Sequence, residues 1–291
     1  MKLASLHDGT AECWGLIAPF GGRPDAGVRL APPDLAHRYP DLASALAAGL
    51  PPAMRAALEA APVRALAGLR FLPVIPRPGR ILCVGINYLA HIREMGREPP
   101  DYPTLFTRYP DTLVGHGQPL VRPRNSAQYD YEGELAIVIG RPARRVRAAD
   151  ALDHVAGYTA FLDGSVRDWQ RHTTQFTPGK NFPATGACGP WLATVDEVPD
   201  PAQLSLTTRV NGEVLQSAPV GDLCFGVPAI VEYCSGFCRL NPGDIIATGT
   251  PSGVGFARQP PRWLVPGDRV EVELGGVGIL RNQVIDEATD P

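Results

Sequence analysis

Gln128-Tyr-Asp-Tyr-Glu-Gly-Glu-Leu135 runs directly into the apolar stretch Leu135–Ile139, which Gly133 and Gly140 bound. A short apolar run between glycines predicts a strand buried on both faces. Side chains alternate faces along a strand, so Glu132 and Glu134 point to the same side. Two like charges side by side cost stability unless a cation lies between them. This strand therefore either frays into solvent at its start or lines a cation site.

Outward from this stretch the same signals recur. Arg80–Ile86, His154–Leu162, Ile245–Thr248, Arg269–Leu274 and Gly278–Ile285 are predicted strands, the last ones set around Pro-Gly-Asp turns at 242–244 and 266–268. Leu206–Val210 and Glu213–Gln216 flank Asn211-Gly212, a strong hairpin signal. Met1–Leu6 and Glu12–Ile17 are expected to pair across Asp8-Gly9. Helical spacing appears in 35–50, 53–66, 90–96 and 225–240. Strands outnumber helices without regular strand–helix alternation, which gives a β-rich α+β fold class. Pro73, Pro76 and Pro78 make 73–79 the expected linker between a small N-terminal α/β region, 1–72, and a larger domain, 73–291.

Composition excludes several functions. The 27 basic and 30 acidic residues give a net charge near −3, so neither nucleic acid nor a membrane surface is an expected partner. No apolar run approaches the roughly 20 residues of a spanning helix. Lys2 is followed by His7, Asp8 and Glu12, unlike a secretory leader, so a cytoplasmic location is expected. Six scattered cysteines without a CxxC pair read as buried reduced thiols rather than a zinc site or disulfides. Gly249–Gly255 carries neither nucleotide-loop spacing.

Asp163 follows the strand ending at Leu162. With Glu132 and Glu134 it offers three carboxylates, a donor set for Mg²⁺, with Mn²⁺ or Ca²⁺ also accommodated. Arg167 and Gln170 fall four and seven residues beyond Asp163, on its face if the segment is helical, and can orient a ligand there. Lys2 and Lys180 are the only lysines among the 27 basic residues. Lys180 thus either survives by chance or sits where a compact ammonium is needed. His91 and Glu94, three apart, form either a surface pair or a carboxylate-oriented general base.

Taken together and in order, these stretches resemble the fumarylacetoacetate hydrolase family. The resemblance covers about 75–286. It rests on Val84-Gly-Ile-Asn-Tyr with His91 and Glu94, Pro103-Thr-Leu-Phe, Asp130-Tyr-Glu-Gly-Glu-Leu-Ala, and Gly157-Tyr-Thr with Asp163 and Ser165. It continues through Arg167-Asp-Trp-Gln, Gly179-Lys-Asn-Phe, Gly189-Pro-Trp, Val210-Asn-Gly-Glu and Gly249-Thr-Pro-Ser-Gly-Val-Gly255. The resemblance implies a mixed β-roll, assembled as a homodimer. It implies Glu132, Glu134 and Asp163 as metal ligands, and Lys180 against the substrate's oxo group and developing enolate. His91 and Glu94 match a water-activating dyad, and Thr250 a threonine gripping the substrate carboxylate.

Within the family, the chain resembles the branch of acylpyruvate hydrolases and 2-hydroxyhepta-2,4-diene-1,7-dioate isomerases. The expected activity is Mg²⁺-dependent hydrolysis of a C–C bond in an acylpyruvate-type 2,4-dioxo acid, giving pyruvate and a carboxylic acid. The alternative is metal-dependent decarboxylation or isomerisation of a 2-oxo-dicarboxylate such as oxaloacetate, or of an aromatic-degradation intermediate. A third reading is a catalytically silent metabolite-binding protein. Two positions depart from the family pattern. Leu162-Asp-Gly-Ser replaces Asn-Asp-Val-Ser, adding flexibility, and Arg108 stands where many relatives carry lysine. Arg108, Arg124 and Arg258 are expected either to bind a second carboxylate or to be solvated surface.

Overall fold

The computed structural model describes residues 1–94, 96 and 98–288. The strand Gly133–Ile139 is buried along its whole length. Its alternation sends Leu135, Ile137 and Ile139 into one core and Ala136 and Val138 into another, so apolar side chains are required on both faces. It pairs antiparallel with Val155–Leu162 and Ile245–Ala247, and the latter runs parallel to Ile81–Gly85. These strands lie within a mixed sheet of twelve.

The hairpin Lys2–His7 and Glu12–Phe20 forms as expected. Lys2–His7 also pairs with Gly186–Thr194, so the strands of the first 72 residues extend the same sheet. A five-stranded sheet, including the Asn-Gly hairpin Ser205–Val210 and Glu213–Pro219, packs on one face. Leu206, Val270, Val272, Leu280 and Val284 close the first core there. On the opposite face, helices bring Leu42, Leu46, Met54 and Leu58 into the second core. This is the β-rich α+β architecture that the sequence predicts.

The N-terminal helices differ from expectation. Three short helices, Pro33–Arg38, Leu42–Ala47 and Pro52–Ala60, replace two long ones. Pro40 interrupts the first. Asp41 then starts a new helix with a capping box to Ser44, its carboxylate accepting the Ser44 amide at 2.8 Å. Pro62 holds Ala61 extended, and the chain continues as the strand Val63–Ala65. The segment 73–79 has no regular structure, yet Val74 and Ile75 are buried in the second core. The helix expected over 90–96 is Leu89–Glu94, and Met95 lies outside the described residues. The helix expected over 225–240 forms as Val227–Phe237.

Candidate active site

Strand register assembles the carboxylates. Gly133 stands opposite Leu162, and one step further the Asp163 amide donates to the Glu132 carbonyl at 2.8 Å. Asp163 therefore faces Glu132 across the ladder, while Glu134 returns to the same side two residues along. All three are buried, and ligand atoms from the three lie within 4.8 Å of one another. Burial removes the reading in which this strand frays into water.

Three cations are built around them. Lys180 Nζ lies 2.6 Å from both Glu132 Oε2 and Asp163 Oδ2, and its side chain is 2% exposed. It ends the helical turn Thr177–Lys180, where a Cβ on Gly179 would lie 2.4 Å from Gln170 Cβ, so glycine permits this approach. Arg167 donates from Nε to Asp130 Oδ2 at 2.8 Å, and its Nη2 lies 2.7 Å from Glu132 Oε1. The third cation corrects the sequence reading. Arg108 is neither solvated nor free for a ligand. Its Nη1 meets Asp163 Oδ1 at 2.5 Å and the Gly164 carbonyl at 2.9 Å, while Nη2 and Nε reach Thr185 and Thr112.

Gly164 likewise serves close approach rather than flexibility, since a Cβ there would sit 1.8 Å from the Thr185 carbonyl oxygen.

The electrostatics are uneven. Burial pushes the Glu132 carboxyl up, but Arg167 and Lys180 outweigh it and bring it down to about 2. Glu134 is held well above the ordinary carboxylate range, by burial first and then by Asp163 and Glu132. It accepts one hydrogen bond, from the Gly249 amide at 2.8 Å, and no ion pair joins it to a cation among the described residues. A buried carboxylate lacking a cation beside two others fits a divalent ion. An all-oxygen donor set suits Mg²⁺, Mn²⁺ or Ca²⁺ rather than zinc.

His91 lies on the helix Leu89–Glu94 with Nδ1 2.8 Å from Glu94 Oε2. Glu94 in turn accepts the Gly253 amide at 2.9 Å. Burial raises the Glu94 carboxyl, but the His91 and Gly253 contacts leave it below its ordinary value. With Nδ1 engaged, Nε2 is the nitrogen left for a substrate.

A cavity of about 500 Å³ is lined by Glu132, Glu134, His91, Lys180, Arg167, Gln170 and Thr250. Asp163 and Glu94, the other two predicted site residues, sit behind this lining and contact it. A cavity of about 650 Å³ beside Trp191 and His116 holds none of these side chains, so size alone does not locate the chemistry. Gln170 Oε1 accepts from Arg167 at 2.9 Å, leaving its amide N–H₂ as donor. The Thr250 hydroxyl is already engaged, donating to the Gly133 carbonyl at 2.9 Å and accepting from Gln216 at 2.8 Å.

Asp130, Gln216 and Asn87 are positioning residues that the sequence reading does not name as site residues, and Arg108 is one that it names for a different role. Fully buried Asp130 accepts Arg167 and the amides of Tyr131, Gly255 and Phe256. It lies inside the decisive motif, and a third acid there was the signal. Arg108 was visible only as a departure from the family. Gln216 joins the Gly133 amide to Thr250. Asn87 donates to the carbonyls of Phe225 and Thr248, fixing the turn beside Ile86, a β-branched residue at φ 57° on the cavity wall.

Residues 80–285 match the family described as Fumarylacetoacetate (FAA) hydrolase C-terminal. The chain is 43% identical to oxaloacetate tautomerase YisK of Bacillus subtilis over 215 residues, covering 72% of this chain and 71% of that protein. Among solved structures, a putative HpcE protein from Mycobacterium smegmatis superposes with a TM-score of 0.87 and 32% identity, over 99% of this chain and 100% of that one. Maleylpyruvate hydrolase from Sphingobium sp. SYK-6, in complex with manganese (II) ion and pyruvate, gives a TM-score of 0.81 at 29% identity, over 99% and 100%.

Proposed function

The chain belongs to the fumarylacetoacetate hydrolase family, and on that premise we propose that its cavity binds a small 2-oxo acid and moves a proton at the carbon beside the oxo group, a keto–enol tautomerisation. One observation carries this reading. A carboxylate-held histidine, a buried lysine and a three-carboxylate cluster converge on a single cavity. The likeness to an oxaloacetate tautomerase supports it.

A divalent cation held by Glu132, Glu134 and Asp163 would supply Lewis acidity toward the 2-oxo carboxylate. His91 Nε2 takes the proton from the substrate carbon, leaving the enolate, and delivers it to the oxo oxygen to give the enol; the reverse reaction retraces these transfers. Glu94 fixes the ring through Nδ1 and stabilises the imidazolium that forms, and the Gly253 amide keeps Glu94 in place. The Lys180 ammonium, a fixed positive charge in the cavity wall, stabilises the developing oxyanion, and the Gln170 amide can donate to the substrate's polar end. Phe106, Phe176 and Phe256 wall the cavity, and their low polarity strengthens these interactions.

The second reading is hydrolytic C–C cleavage of an acylpyruvate-type acid, favoured by the likeness to maleylpyruvate hydrolase. His91 would then deprotonate a water rather than a carbon. Decarboxylation of a 2-oxo-dicarboxylate needs no base at this position. Proton NMR in D₂O separates the three, using oxaloacetate and an acylpyruvate with Mg²⁺ or Mn²⁺ and again with EDTA. Metal-dependent deuterium uptake beside the oxo group, above the enzyme-free rate and with every carbon retained, is the expected result. Pyruvate plus a carboxylic acid from the acylpyruvate would establish the hydrolase, and pyruvate from oxaloacetate alone the decarboxylase. No metal-dependent change in either compound would overturn the reading. The homodimer belongs to the same proposal and is checked by sedimentation.

A further inference from the structure

Arg171 caps the C-terminal end of the helical turn Arg167–Gln170, four residues after Arg167. That spacing puts both side chains on one face. Each guanidinium lies 4.6 Å from the centre of the Phe256 ring, so Arg171 is held against the cavity wall by a cation–π contact. It is exposed, it lines the cavity, and no carboxylate lies within ion-pair distance of it among the described residues. The other cavity cations differ: Arg167 and Lys180 are buried and each is matched by two carboxylates.

The other arginines named from the sequence for a second carboxylate are committed elsewhere. Arg108 is buried against Asp163. Arg258 donates to Tyr131 and to the Leu215 carbonyl. Arg124 faces Glu287 and is not on this cavity. The cavity therefore carries an unmatched positive charge at its exposed rim, at Arg171.

We infer that Arg171 is a specificity-determining residue that grips the distal carboxylate of the substrate, making the preferred substrate class 2-oxo-dicarboxylates. This rests on the reading of the cavity as a 2-oxo-acid site and adds which end group it selects. Thr173 and Thr174 share the rim and can complete the contact.

The test uses a matched pair of 2-oxo acids, 2-oxopentanedioate and 2-oxopentanoate, which differ in the distal carboxylate. Binding is measured by calorimetry on Mn²⁺-loaded protein. Wild type is expected to prefer the dicarboxylate by about tenfold or more, the worth of a charge-assisted hydrogen bond partly screened at an open rim. R171Q should collapse that ratio toward one, and R171K should keep part of it. A ratio unchanged in R171Q overturns the inference while leaving the 2-oxo-acid reading intact. If neither acid binds wild type, or E134Q leaves both affinities unchanged, the reading itself fails and the inference with it.

Discussion

Arg108 Nη1 meets Asp163 Oδ1 at 2.5 Å, with neither side chain exposed to solvent. The other Asp163 oxygen belongs to Lys180 at 2.6 Å, so this carboxylate is clamped between two cations inside the protein. Removing one partner of a buried pair leaves an uncompensated charge. Arg108→Ala is expected to lower stability by about 3–5 kcal/mol. Arg108→Lys should lose less, keeping the charge but not the fork that also reaches Thr112, Thr185 and Gly164. Urea denaturation reads both, and an unchanged Arg108→Ala midpoint would refute the clamp.

Glu134 sets a pH dependence whose sign follows from its raised carboxyl. In metal-free protein the folded group keeps its proton after the unfolded one has lost it. Its contribution is therefore complete below the ordinary carboxylate range and is lost as pH rises through the folded value. Glu132 runs the other way, stabilising at neutral pH and losing that contribution as pH falls toward 2. Urea midpoints in EDTA from about pH 5 to pH 8 should fall less steeply in Glu134→Gln than in wild type. The same variant should bind Mn²⁺ at least about tenfold more weakly, the loss expected on removing one charged ligand. Parallel midpoint curves would contradict the assignment.

His91→Ala is expected to cut turnover about 10²- to 10⁴-fold, the usual worth of a general base, with Mn²⁺ affinity retained. Glu94→Gln should cost less, because the histidine remains while its orientation and the stabilisation of its charged form weaken. Steady-state kinetics beside metal titration makes the separation. Loss of metal binding in His91→Ala would place this side chain in the cation site instead.

Lys180→Arg tests whether Lys180, the one lysine after Lys2, is there for its shape. The ammonium fits between Glu132 and Asp163 and lies 5.0 Å from the Phe106 ring centre. A planar guanidinium has no room to make the same two contacts, so activity should fall about 100-fold although charge is conserved. Near-wild-type kinetics would mean that charge alone suffices.

Much of this site was legible in the chain because local rules decide it. Alternation along 132–139 places Glu132 and Glu134 together wherever the strand goes, and three-residue helical spacing joins His91 to Glu94. The Asn211-Gly212 hairpin and the apolar runs likewise report themselves. Less local features did not. One helix splits at Pro40 and the next ends before Pro62, where proline competes with a continuing Ala/Leu pattern.

By itself the sequence determined which groups carry charge, which strands are buried on both faces, and therefore the fold class and the carboxylate set. Tertiary structure alone decided how those charges are matched. Asp163 opposes Glu132 because of strand register across a 31-residue separation, and Arg108 reaches Asp163 from 55 residues away. Arg171, one residue beyond the motif, lies at the rim against Phe256, with no carboxylate within ion-pair distance among the described residues. A residue's charge is a local property, whereas its partner and its dielectric surroundings depend on which distant segments pack against it. For that reason Arg108, a candidate ligand-binding arginine in the sequence, is a buried clamp in the fold.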